Sequence, residues 1–231
     1  MGDVVLQGAG LRKSFFRAGR DAARRFDAVA DVSVALRSGE MCALMGRSGS
    51  GKSTLLNMLA GLLTPDEGTV SLSGQDLYAL SDEALSRLRN QAIGVIPQGH
   101  TALHSLTVFE NVELPCHMHG ETTDVHDRVD SLLEKLGIAE LSNAYPSELS
   151  GGELRRVAIA RALVVEPQVI LADEPTSDLD DENTELVMNA LRAASREGRA
   201  VLLVTHEQAA ATYADRVMRM DAGRIVEGVE A

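Results

Sequence analysis

Short apolar runs alternate with amphipathic stretches along most of this chain. MCALM (41–45), QVILAD (168–173) and AVLLVTH (200–206) are almost free of charge until they end. That is how strands buried on both faces read. STLLNMLAGLL places Leu55, Leu56, Leu59 and Leu62 at helical spacing, with TPDEG as a stop. VVLQGAG, VSVAL and GTVSLSG read as further strands, the first two joined by a loose FRAGRDAARRFDA. From Ser81 to about Leu149 the pattern is mostly helical, clearest in DRVDSLLEKLG. LRRVAIARALV and ENTELVMNALRAASREG are two more helices, each followed by an apolar strand. Strands alternating with helices predict an α/β chain with a mainly parallel sheet covered on both faces, and a helical lobe inserted in the middle. There is no internal repeat.

Composition narrows what such a chain can do. At 231 residues it fits one large domain or a domain with an inserted lobe. Aromatic content of 3%, with no Trp, leaves little for stacking successive bases, and the net charge of −12 opposes binding a polyphosphate strand. Nucleic acid is therefore not an expected partner. Small anions remain open, because a local site can be positive on an acidic protein. Cys42 and Cys116 lie in no metal-ligand spacing, which suits a reducing compartment. The N-terminus lacks signal-peptide regions, and no apolar run approaches the roughly 18–20 residues that span a bilayer. Work at a membrane would go through a partner.

The segment MGRSGSGKST carries the first chemistry. Gly46, Arg47, Ser48, Gly49, Ser50, Gly51, Lys52 and Ser53 match G-x-x-x-x-G-K-[ST] in full, with Thr54 next. Glycines allow the positive φ that turns successive N–H groups into one concavity. The helix starting there adds unpaired N–H groups and the positive end of its dipole, which together favour phosphate. Lys52 supplies a mobile charge for the β- and γ-phosphates, and the Ser53 hydroxyl is a hard ligand for Mg²⁺. A plain Gly/Ser turn is the alternative, but it has no need of Lys-Ser at a helix start.

VILADE is an independent signal. Strand ends at the carboxyl edge of a parallel sheet are where ligands bind. Asp173 is placed to hold Mg²⁺ and Glu174 to polarise an attacking water; two capping acids before Pro175 are the plainer alternative. LSGGE (149–153) opens a helix with an S-x-x-E capping box. The box explains Ser150 and Glu153 but not Gly151 and Gly152, since glycine costs a helix about 1 kcal/mol. A second phosphate-binding helix terminus accounts for them.

With these motifs in order, the chain resembles the ATP-binding cassette family over nearly its whole length. GRSGSGKST is similar to the Walker A loop, VILADE to Walker B and LSGGE to the signature loop. Gln98 stands at the Q-loop, followed by LTVFENV; SDLD, with Asp178 and Asp180, resembles the D-loop; His206 in LLVTHE resembles the switch histidine. Phe15 stands where relatives carry the adenine-stacking aromatic, with Phe16 as the neighbouring candidate. The resemblance implies a P-loop NTPase (RecA-like) fold with a small antiparallel β region. Residues 1–97 and 150–231 would form the core, and about 98–149 the helical lobe ending at the signature.

It further implies a head-to-tail pair of cassettes, expected to be a homodimer, around two ATP. Ser150, Gly151 and Gly152 would act in trans on the partner's nucleotide, and Asp178 and Asp180 would lie at the dimer contact. Catalysis would fall to Glu174, His206 and Gln98, with His206 on the γ-phosphate, and Mg²⁺ would be held by Ser53, Gln98 and Asp173. The permease would be a separate membrane chain, placing the cassette in the cytoplasm on the inner face of the membrane. YPSELSGGELRRVAIARAL, LTVFENVELP and YADRVMRMDAGRIVEG are most similar to the group serving lipoprotein release and macrolide or peptide export. A cell-division member of that group, which moves no substrate, is the alternative. Pro97 and GHTALHS depart from the family pattern at the permease contact. His100, His104, His117 and His119 crowd nearby in no standard metal spacing and read as surface or interface histidines.

Overall fold

A computed structural model describes residues 2–17, 24–99, 101–119, 124–177 and 179–230. Its centre is a six-stranded sheet built from β3 (Met41–Met45), β6 (Ile93–Ile96), β7 (Val169–Asp173), β8 (Ala200–Thr205), β9 (Arg216–Asp221) and β10 (Arg224–Glu230). The strand order is β10-β9-β3-β8-β7-β6. Every pairing from β9 to β6 is parallel, and β10 closes the edge antiparallel. A second, antiparallel sheet has the order β2-β1-β4-β5, from β1 (Val4–Arg17), β2 (Arg24–Arg37), β4 (Glu67–Leu72) and β5 (Gln75–Asp76).

The parallel strands divide their side chains between two cores with period two. Cys42 and Leu44, Val169 and Leu171, and Ala200, Leu202 and Val204 face the antiparallel sheet and α1 (Lys52–Leu59). Met41, Ile170, Ala172, Val201 and Leu203 face the opposite core. There they meet α3 (Val108–His119), α4 (Val125–Lys135), α5 (Gly151–Leu163) and α6 (Asp181–Arg196). Because both faces are covered, these strands have no polar side and read as continuous apolar runs. α2 (Asp82–Ala92) precedes β6, and the short α7 (Gln208–Ala211) follows β8.

Several elements differ from the sequence expectation. β1 and β2 run 14 residues each and absorb both ends of the stretch expected to be loose, pairing Phe15 with Phe26. The long hairpin satisfies backbone groups that a loop would leave to solvent. α1 stops at Leu59 rather than running on: Gly61, at φ 67°, donates to Met58 O and Leu62 N–H reaches Asn57 O. This left-handed C-terminal cap puts Leu62 outside the helix and 53% exposed. β6 interrupts the stretch that reads as helical. At Gly94 a side chain would meet Ala162 O of α5 at 2.4 Å, so the glycine lets helix and strand touch. β9 and β10 also escape the pattern, being short strands with charged edges.

Candidate functional site

Four consecutive neighbours of the parallel sheet deliver the site from their carboxyl ends. β3 leads into the loop 46–51 and α1, β8 ends beside His206, β7 carries Asp173 and Glu174, and β6 leads to Gln98. The loop is shaped by close approach. Gly51 sits at φ 105° as the N-cap of α1, and a side chain there would lie 2.0 Å from Ala28 O. Gly46 has the same constraint against Met220 O, at 2.3 Å. Only glycine fits both places. Lys52 is 5% exposed, its ammonium donating to Gly46 O at 2.7 Å and Arg47 O at 3.0 Å. The cation is thus held over its own loop, on carbonyls that a phosphate oxygen can replace.

A cleft of about 750 Å³ opens over this loop. Arg47, Ser48, Gly49, Gly51, Lys52, Ser53 and Thr54 line it, with Gln98, Glu174, His206 and Phe15. Gly46 and Ser50 do not. They lie behind the loop, Ser50 being 4% exposed and its carbonyl accepting from Gly223 N–H. Phe16 is also outside the cleft and 73% exposed, so of the two candidate aromatics the structure brings Phe15 to the site.

Two side chains meet the Glu174 carboxylate. Gln98 Nε2 donates to Oε2 at 2.9 Å, and His206 Nδ1 lies 3.1 Å from Oε1. Glu174 has φ 48°, a left-handed conformation costing a non-glycine residue of order 1–3 kcal/mol. Its N–H donates to Val204 O, while its carbonyl accepts from the Ser177 hydroxyl. Those bonds hold the backbone where the carboxylate faces the cleft. The neighbouring Asp173 is 7% exposed and its Oδ1 has no hydrogen-bond partner. Burial pushes its carboxyl above the ordinary value, partly offset by the Ser53 hydroxyl donating to it.

The LSGGE segment lies elsewhere. Ser150 is exposed and caps α5: its hydroxyl accepts from Glu153 N–H, and Glu153 Oε2 accepts from Ser150 N–H at 2.7 Å. Those bonds hold the Glu153 carboxyl below its usual range. Gly151 is exposed and Gly152 half-buried, where a side chain would press on Leu179 at 3.3 Å. None of the three lines the cleft. Asp178 is outside the described residues, and Asp180 caps α6, accepting from Asn183 N–H at 2.8 Å. Of the histidines, His104 is exposed, His100 is outside the described residues, and so is the side chain of His119. His117 joins His126 around Glu113, at 3.3 and 3.5 Å.

Sequence reasoning missed three contributors. Phe26 and Ala28 line the cleft from β2, a fact that depends on hairpin register and so on no local motif. Arg155, 4% exposed on the buried side of α5, donates to Pro97 O at 2.8 Å and to the Ser177 hydroxyl at 3.2 Å. It ties the segment before Gln98 to the turn after Glu174. A charged residue in step with the apolar positions of LRRVAIARAL was its only signal.

Comparison with known proteins follows the same lines. The sequence profile of the ABC transporter family matches residues 29–177. The lipoprotein-releasing system ATP-binding protein LolD of Pseudomonas syringae pv. tomato is 44% identical over 199 residues, covering 85% of this chain and 87% of its own. The macrolide export ATP-binding/permease protein MacB of Chlorobaculum tepidum is 40% identical over 92% of this chain, which spans 32% of that longer protein. The dimeric structure of MJ0796, a bacterial ABC transporter cassette, superposes with a TM-score of 0.90 at 32% identity, covering 97% of this chain and 98% of that one. A post-hydrolysis dimer of MJ0796, bound to ADP and Pi, gives 0.89 at the same identity and coverage. With its phosphate loop, its acidic strand end and these relatives together, this chain belongs to the ABC transporter family, as one of its ATP-binding and ATP-hydrolysing cassettes.

Proposed function

We propose that this cassette drives a separately encoded membrane permease of the export type, with lipoprotein- or peptide-like cargo, by closing two copies of itself around two ATP molecules. The observation that carries the reading is spatial. Glu174, Gln98 and His206 converge over the phosphate loop, while Ser150 and Gly151 stand exposed outside that cleft. A second copy can therefore bring its own signature segment to the nucleotide.

The triphosphate lies along the N–H groups of the cleft-lining residues 47–49 and 51–54, with Lys52 moving from its loop carbonyls to the β- and γ-phosphates. The site fits Mg²⁺, because Asp173 offers a buried hard oxygen with an unpartnered lone pair next to the Ser53 hydroxyl. Ser53 and Asp173 would hold the ion, with Gln98 at the rim, and it would supply Lewis-acid polarisation of phosphoryl oxygens. Glu174 takes the proton of the attacking water as the bond to the γ-phosphorus forms and the bond to ADP breaks. Gln98 and His206 orient its two carboxylate oxygens, and His206, whose side chain is 58% exposed, is free to turn to the γ-phosphate.

Closure follows from charge. Ser150 and Glu153 satisfy each other, which leaves the N–H groups of Gly151 and Gly152 and the dipole of α5 for the partner's γ-phosphate. ATP thus adheres two copies that ADP does not. The surface this reading offers to the permease is a groove of about 370 Å³ between β6, α2, α5 and the end of α3, lined by Leu62, Arg89, Pro115, Met118 and Arg161, beside the segment that follows Pro97. Leu62 and Met118 are 53% and 72% exposed there. No described helix is long and apolar enough to cross a membrane; in this reading the permease holds the cassette peripherally, on the cytoplasmic face. Purification of the tagged chain from detergent-solubilised membranes should bring down an integral membrane protein and lose it on Met118→Glu. Recovery of the cassette with no membrane protein would refute the coupling.

A further inference from the structure

The buried residues of α5 are apolar, Val157, Ile159 and Leu163 among them, with the exception of Arg155. Burying a guanidinium is costly unless its donors are taken, and an apolar side chain in its place serves a core as well or better. Packing alone therefore gives no reason for an arginine here; the destinations of its donors do. Nη1 donates to Pro97 O at 2.8 Å, and Pro97 leads directly into Gln98. Nη2 donates to the Ser177 hydroxyl at 3.2 Å, and that hydroxyl donates in turn to Glu174 O at 3.0 Å. The pairing of β6 with β7 ends at Ile96 and Ala172. Proline has no N–H to carry it further, so the chain enters Gln98 with its carbonyl on Arg155. Arg155 does not line the cleft. It stands behind two strand ends whose side chains, Gln98 and Glu174, meet at 2.9 Å in front of it.

We infer that Arg155 is a positioning residue for hydrolysis: its planar fork fixes the spacing between the segment entering Gln98 and the turn leaving Glu174, and so aligns the glutamine on the carboxylate that activates water. The inference rests on the hydrolytic role given to Glu174 above and adds a residue that touches neither nucleotide nor water. A guanidinium presents several donors in one rigid plane, whereas a lysine ammonium is a single point on a flexible stem. Only the fork can hold two acceptors on separate elements at a set distance. Neither of these bonds reaches the phosphate loop or α1, so removing the fork leaves the triphosphate site intact and disturbs alignment alone. Misplacing a reacting group by about 1 Å costs roughly 100-fold in rate. The loss therefore falls on kcat and spares binding.

Steady-state ATP hydrolysis, equilibrium ATP titration and thermal melting test this on the wild type, Arg155→Met, Arg155→Lys, Ser177→Ala and the double variant Arg155→Met/Ser177→Ala. Arg155→Met, which keeps the unbranched bulk, should lower kcat about 10–100-fold with KM and ATP affinity within about twofold. Arg155→Lys, which keeps the charge and loses the fork, should stay at least about fivefold slow. Ser177→Ala breaks one arm of the brace and should slow turnover about fivefold, yet slow Arg155→Met by less than about twofold more, because both act on the same Glu174 backbone. Wild-type kcat in Arg155→Met, full recovery in Arg155→Lys, or losses that multiply in the double variant would overturn the inference. So would a fall in kcat matched by an equal fall in ATP affinity or by loss of the melting transition in both Arg155 variants, which is the mark of a merely structural role. All of these leave the ATPase reading standing. A wild type that hydrolyses no ATP would overturn that reading, and this inference with it.

Discussion

Glu174 is held by a glutamine on one oxygen and a histidine on the other, on a backbone that a carboxylate would not choose unaided. Substituting Glu174→Gln keeps that geometry and removes the proposed base. Turnover should fall by about 10²–10⁴-fold while ATP affinity stays, and size-exclusion chromatography with ATP should show a trapped dimer. Lys52→Ala should instead weaken nucleotide binding itself, seen by equilibrium titration. Asp173 makes a pH statement. Its carboxyl is raised by burial, so the proton is favoured in the folded chain at low pH and that contribution fades as pH rises through the raised value. A proton there competes with a cation. The Mg²⁺ concentration for half-maximal hydrolysis should climb as pH falls, beginning above the ordinary aspartate range, and Asp173→Asn should remove that dependence. These residues were legible because Gly46 to Ser53 and VILADE are contiguous words. Phe26 and Arg155 were not, since register brings one to the site and a helix face the other.

At the scale of one element, α5 shows how a sequence word can carry two meanings. Ser150 and Glu153 spell a capping box and form one, so local propensity alone explains them. The glycines are what local propensity leaves over. Ser150→Ala should cost about 1 kcal/mol of stability, read from a denaturant midpoint, and weaken ATP-driven pairing. Ser150→Arg should spare monomer binding and abolish pairing in the Glu174→Gln background; normal pairing there would contradict action in trans. Because Glu153 titrates below its usual value, its cap stabilises the fold above the unfolded carboxylate value and is lost as pH drops through the lower folded one. Acid unfolding of Glu153→Gln should lack that component. The length of α1 was misread for a related reason: Leu62 keeps helical spacing, but spacing cannot reveal the turn that Gly61 imposes.

For the whole molecule, the apolar runs of β3, β7 and β8 announced a covered parallel sheet, and that sheet is present. The extent of the antiparallel hairpin, β6, and the β9–β10 edge were hidden. Their strands are short, charged or flanked by segments of another period, and only pairing partners distant in sequence define them. Both cysteines lie at 0% exposure, one in each core, and burial pushes the Cys42 thiol up to about 12. A thiol reagent at neutral pH should leave the native protein unlabelled and modify two groups in denaturant.

The contact of the Ala28 carbonyl with Gly51, and of Gly223 with Ala30 and Ser50, has a mechanical corollary. One jaw of the cleft hangs on the antiparallel sheet and the other on the parallel one, and at these points the two are joined backbone to backbone over the side-chain core they share. The span from ring to loop is therefore rigid, a fixed gauge for the length of whatever lies across it, and a molecule seated in both jaws clamps the two sheets into one body.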